Sequence, residues 1–549
     1  MPLFGRSVLA LPTLLLLSLA MFGAPAKRPA HKGSLADQIN TILSQPDLAR
    51  AHWGIDVVDL ESGKSLYSLN EDQLFLPASN AKLFTTAAAL SLAGPDYRFR
   101  TTVESAGQID ANGHLLGDLV IVGRGDPNIS GRVLPYALKT ERLPPHTQML
   151  EDLAGQIAER GVKVVEGDII GDDTFYAPER YGEGWAQDDL QWPDGAPVSA
   201  LSFNDNVLFV KIQPGAHDGD KAAITLEPET DYYQIENAVM TAPAGGTRKI
   251  GMHHDPGSKA VVIWGWLPEN DAGVSEALAV DDPAALTAEL LRSLLEQRGI
   301  TVTGRTRARH GDAAQFFDRP LEQAAPAKLQ SGCCPSELHP APVSSPVPTS
   351  GPLATSDPSA ATTILAEHVS LPFIEDLRVI NKTSQNLHAE LALRLAGRLD
   401  GAGGSFEGGE AAVKQFLLKA GLREEEFVLL DGSGLSRRDL VTPAAVTRLL
   451  IYARHQTWGQ AYEESLPDGG VDGSLSERFL NTPAVGLIHA KTGTLSHVSA
   501  LSGYGQTMKG SRFVFSILCN DYNLPQSKVI PAIDAVVKLL VTQGDTARK

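Results

Sequence analysis

A serine and a lysine one helical turn apart could supply a nucleophile and its base. Ser79 and Lys82 stand at the start of a segment rich in Ala, Leu and Thr that predicts a helix over residues 81–93. Because residues three apart share one helix face, the amine of Lys82 can reach the Ser79 hydroxyl. A buried lysine with a lowered pKa can accept the serine proton. A plain helix cap beside a solvated lysine is the alternative, which this short pattern alone does not exclude.

A second group with chemical potential lies near the C-terminal end, where a predicted strand over residues 486–491 leads into a Lys-Thr-Gly-Thr run. Lys491 would place a fixed positive charge there, and Gly493 would let a substrate backbone approach the strand edge closely. The hydroxyls of Thr492 and Thr494 suit a carboxylate. An edge strand with solubilising side chains is the alternative.

A third pattern, Ser-x-Asn, is ambiguous because it occurs three times: Ser68-Leu69-Asn70, Ser202-Phe203-Asn204 and Ser384-Gln385-Asn386. The first lies on a predicted strand and the second precedes one. The third lies in a loop between two predicted helices, where side chains can point into a cleft. We therefore choose Ser384 and Asn386 as the candidate pair.

In this order the three motifs resemble those of penicillin-binding proteins and class A β-lactamases. The chain as a whole resembles the class C low-molecular-mass penicillin-binding proteins, the penicillin-binding protein 4-like D-alanyl-D-alanine carboxypeptidase/endopeptidase family. The likeness spans residues 35–541 apart from a Pro-rich tract. Further segments carry it: Gly123-Arg124-Gly125-Asp126-Pro127, Asp431-Gly432-Ser433-Gly434-Leu435-Ser436 and residues 466–478. The chain departs from the family in having Gln385 where Asp is common.

The resemblance implies an α+β (α/β) fold, a penicillin-recognising, β-lactamase-like sandwich of helices on an antiparallel sheet with a long, mainly β insertion. The sequence agrees, since short strands and turns dominate residues 99–267 and helical signal returns at 282. We expect a discontinuous catalytic domain over residues 34–99 and 276–549 and an inserted part over 100–275. The tract 311–362, rich in Pro and Ser, predicts a disordered loop within the catalytic domain.

Roles for the motif residues follow from the resemblance. Ser79 would attack the carbonyl between two D-Ala residues, with Lys82 as the base. Ser384 would relay a proton toward the leaving amine, and Asn386 would orient Lys82 and the substrate amide. Lys491 would set the electrostatics of the cleft.

The resemblance also implies how substrate is held. Thr492, Gly493 and Thr494 would bind the substrate, with both hydroxyls on its terminal carboxylate. The backbone N–H groups of Ser79 and Thr494 would form the oxyanion hole. We expect no metal and no cofactor, peptidoglycan stem peptides as partners, and β-lactam antibiotics as covalent inhibitors.

The N-terminus predicts export. Arg6 precedes an apolar run over residues 8–21, and Ala24-Pro25-Ala26 offers a cleavage site, so residues 1–26 fit a secretory signal. We expect a periplasmic or secreted protein without a stable membrane span after signal removal, although an uncleaved anchor stays open. A net charge of −18 argues against nucleic acid as a partner. Cys333, Cys334 and Cys519 form neither a disulfide framework nor a zinc spacing.

Two other functions remain open at this level. One is a β-lactamase or esterase on the same fold, and the other is a catalytically silent peptidoglycan-binding protein. For the carboxypeptidase itself, the sequence does not decide between trimming of terminal D-Ala and cleavage of cross-links.

Overall fold

The computed structural model describes residues 33–138, 142–312 and 362–546. The predicted signal 1–26, the pair Cys333 and Cys334, and nearly all of the tract 311–362 lie outside the described residues. The helices are α1 (Leu35–Leu43), α2 (Ala81–Ala93), α3 (Gln148–Glu159), α4 (Pro283–Gln297), α5 (Phe373–Lys382), α6 (Asn386–Leu399), α7 (Phe406–Lys419), α8 (Pro443–Arg454), α9 (Gly459–Glu464) and α10 (Gln526–Gln543).

Strands lie between these helices along the described ranges. They are β1 (His52–Asp59), β2 (Ser65–Leu69), β3 (Arg100–Ser105), β4 (His114–Leu115), β5 (Leu119–Val122), β6 (Val164–Val165), β7 (Ile169–Asp172), β8 (Val207–Gln213), β9 (Ala223–Glu227), β10 (Gln234–Ala242), β11 (Lys249–His254), β12 (Ala260–Pro268), β13 (Val274–Ala279), β14 (Thr301–Val302), β15 (Thr306–Arg309), β16 (Thr363–Val369), β17 (Phe427–Val428), β18 (Leu440–Val441), β19 (Ile488–Leu495), β20 (Val498–Gln506) and β21 (Arg512–Asn520).

The catalytic part is built on an antiparallel sheet of order β19-β20-β21-β1-β2, which joins the two ends of the described chain. Strand β1 pairs with β21 along its whole length, so that His52 lies opposite Asn520. Strand β19, which carries Lys491, lies at one edge of the sheet. An edge strand keeps one row of backbone groups available to a ligand.

Helices cover both faces of this sheet. Trp53, Ile55 and Val57 point from β1 into a core shared with α1 and α10. The opposite face packs on a second core that includes α2, α6 and α8. Helix α2 is buried along most of its length, as its apolar, weakly amphipathic sequence predicts. The predicted sandwich of helices on an antiparallel sheet is therefore confirmed.

The inserted part has its own core and several small sheets, in agreement with the predicted mainly β insertion. Its largest sheet has the order β15-β7-β5-β3-β16. The predicted boundary at residue 275 does not agree with this pairing, because β15 extends the sheet beside β7 and β16 pairs with β3. The sequence after 275 therefore returns to the insertion, as far as Val369, before the catalytic helices resume.

The sequence does not predict helix α7, because glycines normally weaken a helix interior. Here Gly409 permits close packing on α6, since a Cβ at this position would lie 2.7 Å from the carbonyl oxygen of Leu393. Ser405 caps the helix by accepting a 3.0 Å hydrogen bond from the N–H of Gly408. Packing against α6 thus outweighs the weak local preference.

Candidate active site

The nucleophile candidate lies on a tight turn that leads into the central helix. Residues Ala78–Asn80 form one 3₁₀ turn, and Lys82 follows in the first turn of α2 with no exposed surface. The Nζ of Lys82 lies 2.9 Å from the Oγ of Ser79, which confirms the predicted contact. Burial lowers the pKa of Lys82 to about 8, although the nearby carboxylate of Asp431 opposes the shift. A lysine in this state can accept a proton near neutral pH.

Two further contacts fix the amine of Lys82. Its Nζ donates to the Oδ1 of Asn386 at 2.6 Å and to the carbonyl oxygen of Ser433 at 2.7 Å. The structure thus brings together the first motif, the chosen Ser-x-Asn motif and the Asp431–Ser436 segment. Within the described ranges, the other two Ser-x-Asn copies form no side-chain hydrogen bond with Ser79 or Lys82.

The Ser-x-Asn motif occupies the short connection between α5 and α6. Ser384 has a φ of 62°, a left-handed conformation that is uncommon for a residue with a side chain. Its Oγ accepts a 2.8 Å hydrogen bond from the Nζ of Lys491. Asn386 begins α6, and its Nδ2 donates to the carbonyl oxygen of Asp194 at 2.9 Å. The inserted part therefore contacts the site through Asp194.

Lys491 is completely buried, and its Nζ also donates to the carbonyl oxygen of Thr492 at 3.0 Å. Burial and the proximity of Lys82 hold the pKa of Lys491 well below its usual value. Along the same strand Thr492 is half-buried and Thr494 is exposed. The Oγ1 of Thr492 lies 2.7 Å from the Oγ of Ser474, which the sequence analysis placed in the segment 466–478 without a role in the site.

The structure gives a reason for glycine at position 493 that the sequence analysis did not give. A Cβ at this position would lie 2.7 Å from the carbonyl oxygen of Pro77 and 3.3 Å from the Cβ of Ala78. The absent side chain therefore lets β19 lie directly against the turn that holds Ser79. This packing requires glycine here, and the close approach of a substrate backbone stays a prediction.

The turn over residues 431–436, whose Ser433 carbonyl oxygen accepts from Lys82, is itself fixed by hydrogen bonds. Asp431 accepts hydrogen bonds from the N–H of Gly434 at 2.6 Å, the N–H of Ser436 at 2.7 Å and the indole of Trp185 at 2.9 Å. Gly434 has a φ of 77°, and a Cβ on it would lie 1.9 Å from the carbonyl oxygen of Ala78. Sequence reasoning missed these residues as parts of the site because their signal is only that of a tight turn.

Two more buried carboxyl groups accompany Asp431. Burial, with repulsion from Asp431, raises the pKa of Glu390 to about 8. Asp439 is shifted in the same direction for the same two reasons, with its pKa well above the usual range. Glu390 and Asp439, whose pKa values are both raised, thus lie with Asp431 near Lys82. In the described ranges no three His, Cys, Asp or Glu side chains gather in a way that could hold a metal ion.

Comparison with known proteins identifies the fold. The crystal structure of penicillin binding protein 4 from Haemophilus influenzae superposes with a TM-score of 0.71 at 23% identity, over 92% of this chain and 99% of that one. The same protein complexed with a β-lactam gives a TM-score of 0.67 at 22% identity, with the same coverage. The penicillin-recognising, β-lactamase-like fold is therefore confirmed.

Comparison of sequences identifies the family as well as the fold. A D-alanyl-D-alanine carboxypeptidase from Actinomadura sp. (strain R39) is 33% identical over 536 residues, which are 95% of this chain and 88% of that protein. The D-alanyl-D-alanine carboxypeptidase DacB of Haemophilus influenzae is 25% identical over 86% of this chain and 85% of its own length. The model of the D-Ala-D-Ala carboxypeptidase 3 (S13) family matches residues 35–316 and 346–542. The chain belongs to the D-Ala-D-Ala carboxypeptidase 3 (S13) family.

Proposed function

We propose that this chain is a serine-type D-Ala-D-Ala carboxypeptidase that also opens peptide cross-links, acting through an acyl-enzyme on Ser79. One observation carries the proposal: the buried amine of Lys82 lies 2.9 Å from the Oγ of Ser79 and is held by Asn386. Family membership supports the substrate class, a stem peptide that ends in D-Ala-D-Ala.

In acylation, the neutral amine of Lys82 takes the proton of Ser79 while the Oγ attacks the carbonyl carbon of the scissile bond. We assign the oxyanion to the backbone N–H groups of Ser79 and Thr494. The packing of Gly493 on Pro77 supports this assignment, because it sets β19 beside the nucleophile turn. Each donor of this kind contributes about 3–4 kcal/mol to transition-state stabilisation.

The C–N bond then breaks, and the leaving amine needs a proton. We assign to the Oγ of Ser384, which accepts a hydrogen bond from Lys491, the relay to this amine of the proton that Lys82 took from Ser79. Water afterwards attacks the ester carbonyl and supplies a proton to the Oγ of Ser79 as the ester bond breaks. The half-buried Thr492 and the exposed Thr494 would hold the terminal carboxylate of the substrate, on the strand that carries Lys491.

A β-lactam would follow the same first step, but its leaving nitrogen stays attached and the acyl-enzyme persists. The test is to incubate the purified chain with benzylpenicillin and follow intact mass, and separately to measure D-Ala release from a diacetyl-Lys-D-Ala-D-Ala tripeptide. We expect a stable adduct of one penicillin and released D-Ala, both absent in Ser79→Ala. Rapid penicillin turnover would instead favour a β-lactamase, and no adduct with no D-Ala would favour a silent binding protein.

A cross-linked muropeptide dimer tests the endopeptidase activity, since cleavage gives two monomers by mass. We also propose that the chain works outside the cytoplasm, where its substrate lies. The sequence of residues 1–26 supports this, and no helix in the three described ranges has the length and apolar character to cross a bilayer. Fractionation of cells that express the tagged full chain would test the location.

A further inference from the structure

The unused Ser-x-Asn copy at Ser202-Phe203-Asn204 leads into an unusual turn of the inserted part. Asn204, Asp205 and Asn206 have φ values of 50°, 55° and 56°, so three successive residues adopt the left-handed conformation. Asn and Asp tolerate this conformation better than other residues with side chains. The turn is held by bonds from Asn204 Nδ2 to the carbonyl oxygen of Val207 at 3.0 Å and from Asn206 Nδ2 to that of Pro197 at 2.7 Å.

The carboxylate of Asp205 points from this turn to the catalytic Ser-x-Asn motif. Its Oδ2 accepts from the Nε2 of Gln385 at 3.2 Å, and its Oδ1 lies 3.2 Å from the Nε2 of His388. The Oε1 of Gln385 in turn caps α6 by accepting from the N–H of His388 at 3.0 Å. Asp205, Gln385 and His388 thus form a closed ring of contacts around the start of α6.

His388 ties this ring to helix α5. Its Nδ1 lies 2.6 Å from the Oδ1 of Asp376, and the ring has no exposed surface. A neutral imidazole has one N–H, so hydrogen bonds to both carboxylates require the imidazolium. Burial lowers the pKa of His388, but Asp376 and Asp205 outweigh that effect and raise it. The cation therefore joins α5, α6 and the inserted turn.

Asp205 also keeps its charge. Its side chain forms ion pairs with Arg132 and Arg142 of the inserted part. Burial raises the pKa of Asp205, but the two guanidinium groups outweigh it and hold that pKa well below its usual range. The carboxylate is thus a fixed anchor on the insertion side of the contact.

Both sides of this contact are left-handed backbone, at residues 204–206 and at Ser384. Such backbone persists only where its surroundings determine it, and it concentrates at functional sites. We propose that Asp205, acting through Gln385 and His388, is a positioning residue that fixes Ser384 and Asn386 in the orientation needed for acylation. This inference rests on the proposed function. It gives the insertion a role in catalysis and gives Gln385 a reason to differ from the common Asp.

The test compares Asp205→Asn and Gln385→Asn with wild type in acylation by benzylpenicillin, measured as a second-order rate constant, and in thermal unfolding. Asp205→Asn removes the anchoring charge at constant size, and Gln385→Asn can keep the cap but is too short to reach Asp205. We expect each variant to acylate roughly 10- to 100-fold more slowly, since misplacement near 1 Å has effects of this size. Because both act on one contact, the double variant is expected to be no slower than the slower single variant.

His310→Gln is the matched control. His310 also bridges two carboxylates, with its Nδ1 2.9 Å from Asp173 and its Nε2 3.1 Å from Asp282, and neither carboxylate touches the Ser384–Asn386 loop. We expect it to lose thermal stability and to keep the wild-type acylation rate. Failure of wild type to acylate would overturn the proposed function. Acylation within twofold of wild type in Gln385→Asn and Asp205→Asn, or multiplicative effects in the double variant, would overturn the positioning role alone. If Asp205→Asn does not fold, Gln385→Asn decides.

Discussion

The Nζ of Lys82 and the Oδ1 of Asn386 lie 2.6 Å apart, although 304 residues separate them in the chain. With Ser79 Oγ and the Ser433 carbonyl oxygen, Asn386 completes three acceptors around one nitrogen. An ammonium has three N–H donors, so the protonated form of Lys82 is fully satisfied in its buried position. The geometry aims the nitrogen at Ser79 before any substrate arrives.

Replacing Lys82 by Arg tests whether the site needs a base or only a positive charge. Arginine keeps the charge but does not give up its proton in proteins, so it cannot accept one from Ser79. We expect acylation by benzylpenicillin to slow by roughly 10²–10⁴-fold, the usual contribution of a general base. Time courses of intact mass measure it, with Lys82→Met as a companion that also removes the charge. An arginine variant within a few-fold of wild type would argue against Lys82 as the base.

The pKa of Lys82 near 8 predicts how acylation depends on pH. Below that pKa the amine is protonated, so the fraction of enzyme with a free base falls about tenfold per pH unit. The rate constant for acylation should therefore rise from pH 6 to 8 and level off above it. Penicillin acylation rates across this range are the measurement. A rate that stays flat or falls between pH 6 and 8 would contradict the assignment.

Asp431→Asn should shift this profile in a known direction. The carboxylate of Asp431 is the strongest of the nearby charges that stabilise protonated Lys82. Removing it lowers the pKa of Lys82 further, so the midpoint of the acylation profile is expected to move to lower pH. An upward shift would show that Asp431 acts in another way. A circular dichroism spectrum and a thermal unfolding midpoint like those of wild type would show that the variant keeps the overall fold.

Two glycines with similar backbone conformations allow the effect of backbone strain to be distinguished from that of a steric contact. Gly434 (φ 77°) and Gly421 (φ 86°) both lie in the left-handed region, but only Gly434 would place a Cβ against Ala78. Alanine at Gly421 is expected to reduce the free energy of unfolding by about 1 kcal/mol without changing acylation. Alanine at Gly434 should reduce both the free energy of unfolding and the rate of acylation, because the turn that holds Ser79 must shift. Urea unfolding and penicillin acylation test the pair, and equal acylation in both variants would refute the distinction.

We expect His310 to contribute to the free energy of unfolding in a pH-dependent way. Hydrogen bonds to Asp173 and Asp282 raise its pKa to about 10, above the ordinary value of 6.5. A group whose pKa is raised on folding stabilises fully below its unfolded pKa, and this stabilisation is lost as pH rises through the folded pKa. The difference in free energy of unfolding between wild type and His310→Gln should therefore be largest near pH 6 and shrink toward pH 10. Urea titrations at both pH values check this, and the opposite trend would contradict it.

The sequence predicts those parts of the site whose signal is local. Ser79 and Lys82 share one helical turn, and Lys491 to Thr494 share one strand, so spacing alone places each set. Choosing Ser384 over Ser202 required only the expectation that a loop between helices can face a cleft. The predicted core sandwich followed from helices and strands with strong patterns.

What the sequence does not predict depends on contacts between distant segments. Asp194 and Trp185 reach the site from the insertion through a carbonyl oxygen and an indole, and neither has a local pattern. The sequence did not predict that the insertion continues past residue 275, because the partners of β15 and β16 lie far away in sequence. The sequence shows that Gln385 departs from the common Asp, but the contact of Gln385 with Asp205 is visible only in the structure.

The pairing of β1 with β21 has a consequence for biosynthesis. A growing chain contains β1, β2 and Ser79 early, but Lys491 and the strands β19, β20 and β21 that complete the sheet are made only after the other described strands. A ribosome-bound or proteolytically shortened chain that lacks these strands has no complete sheet and no Lys491 amine beside Ser384. Penicillin is therefore expected to label chains that contain β19 to β21 and not shorter fragments, so labelling measures the amount of the intact protein.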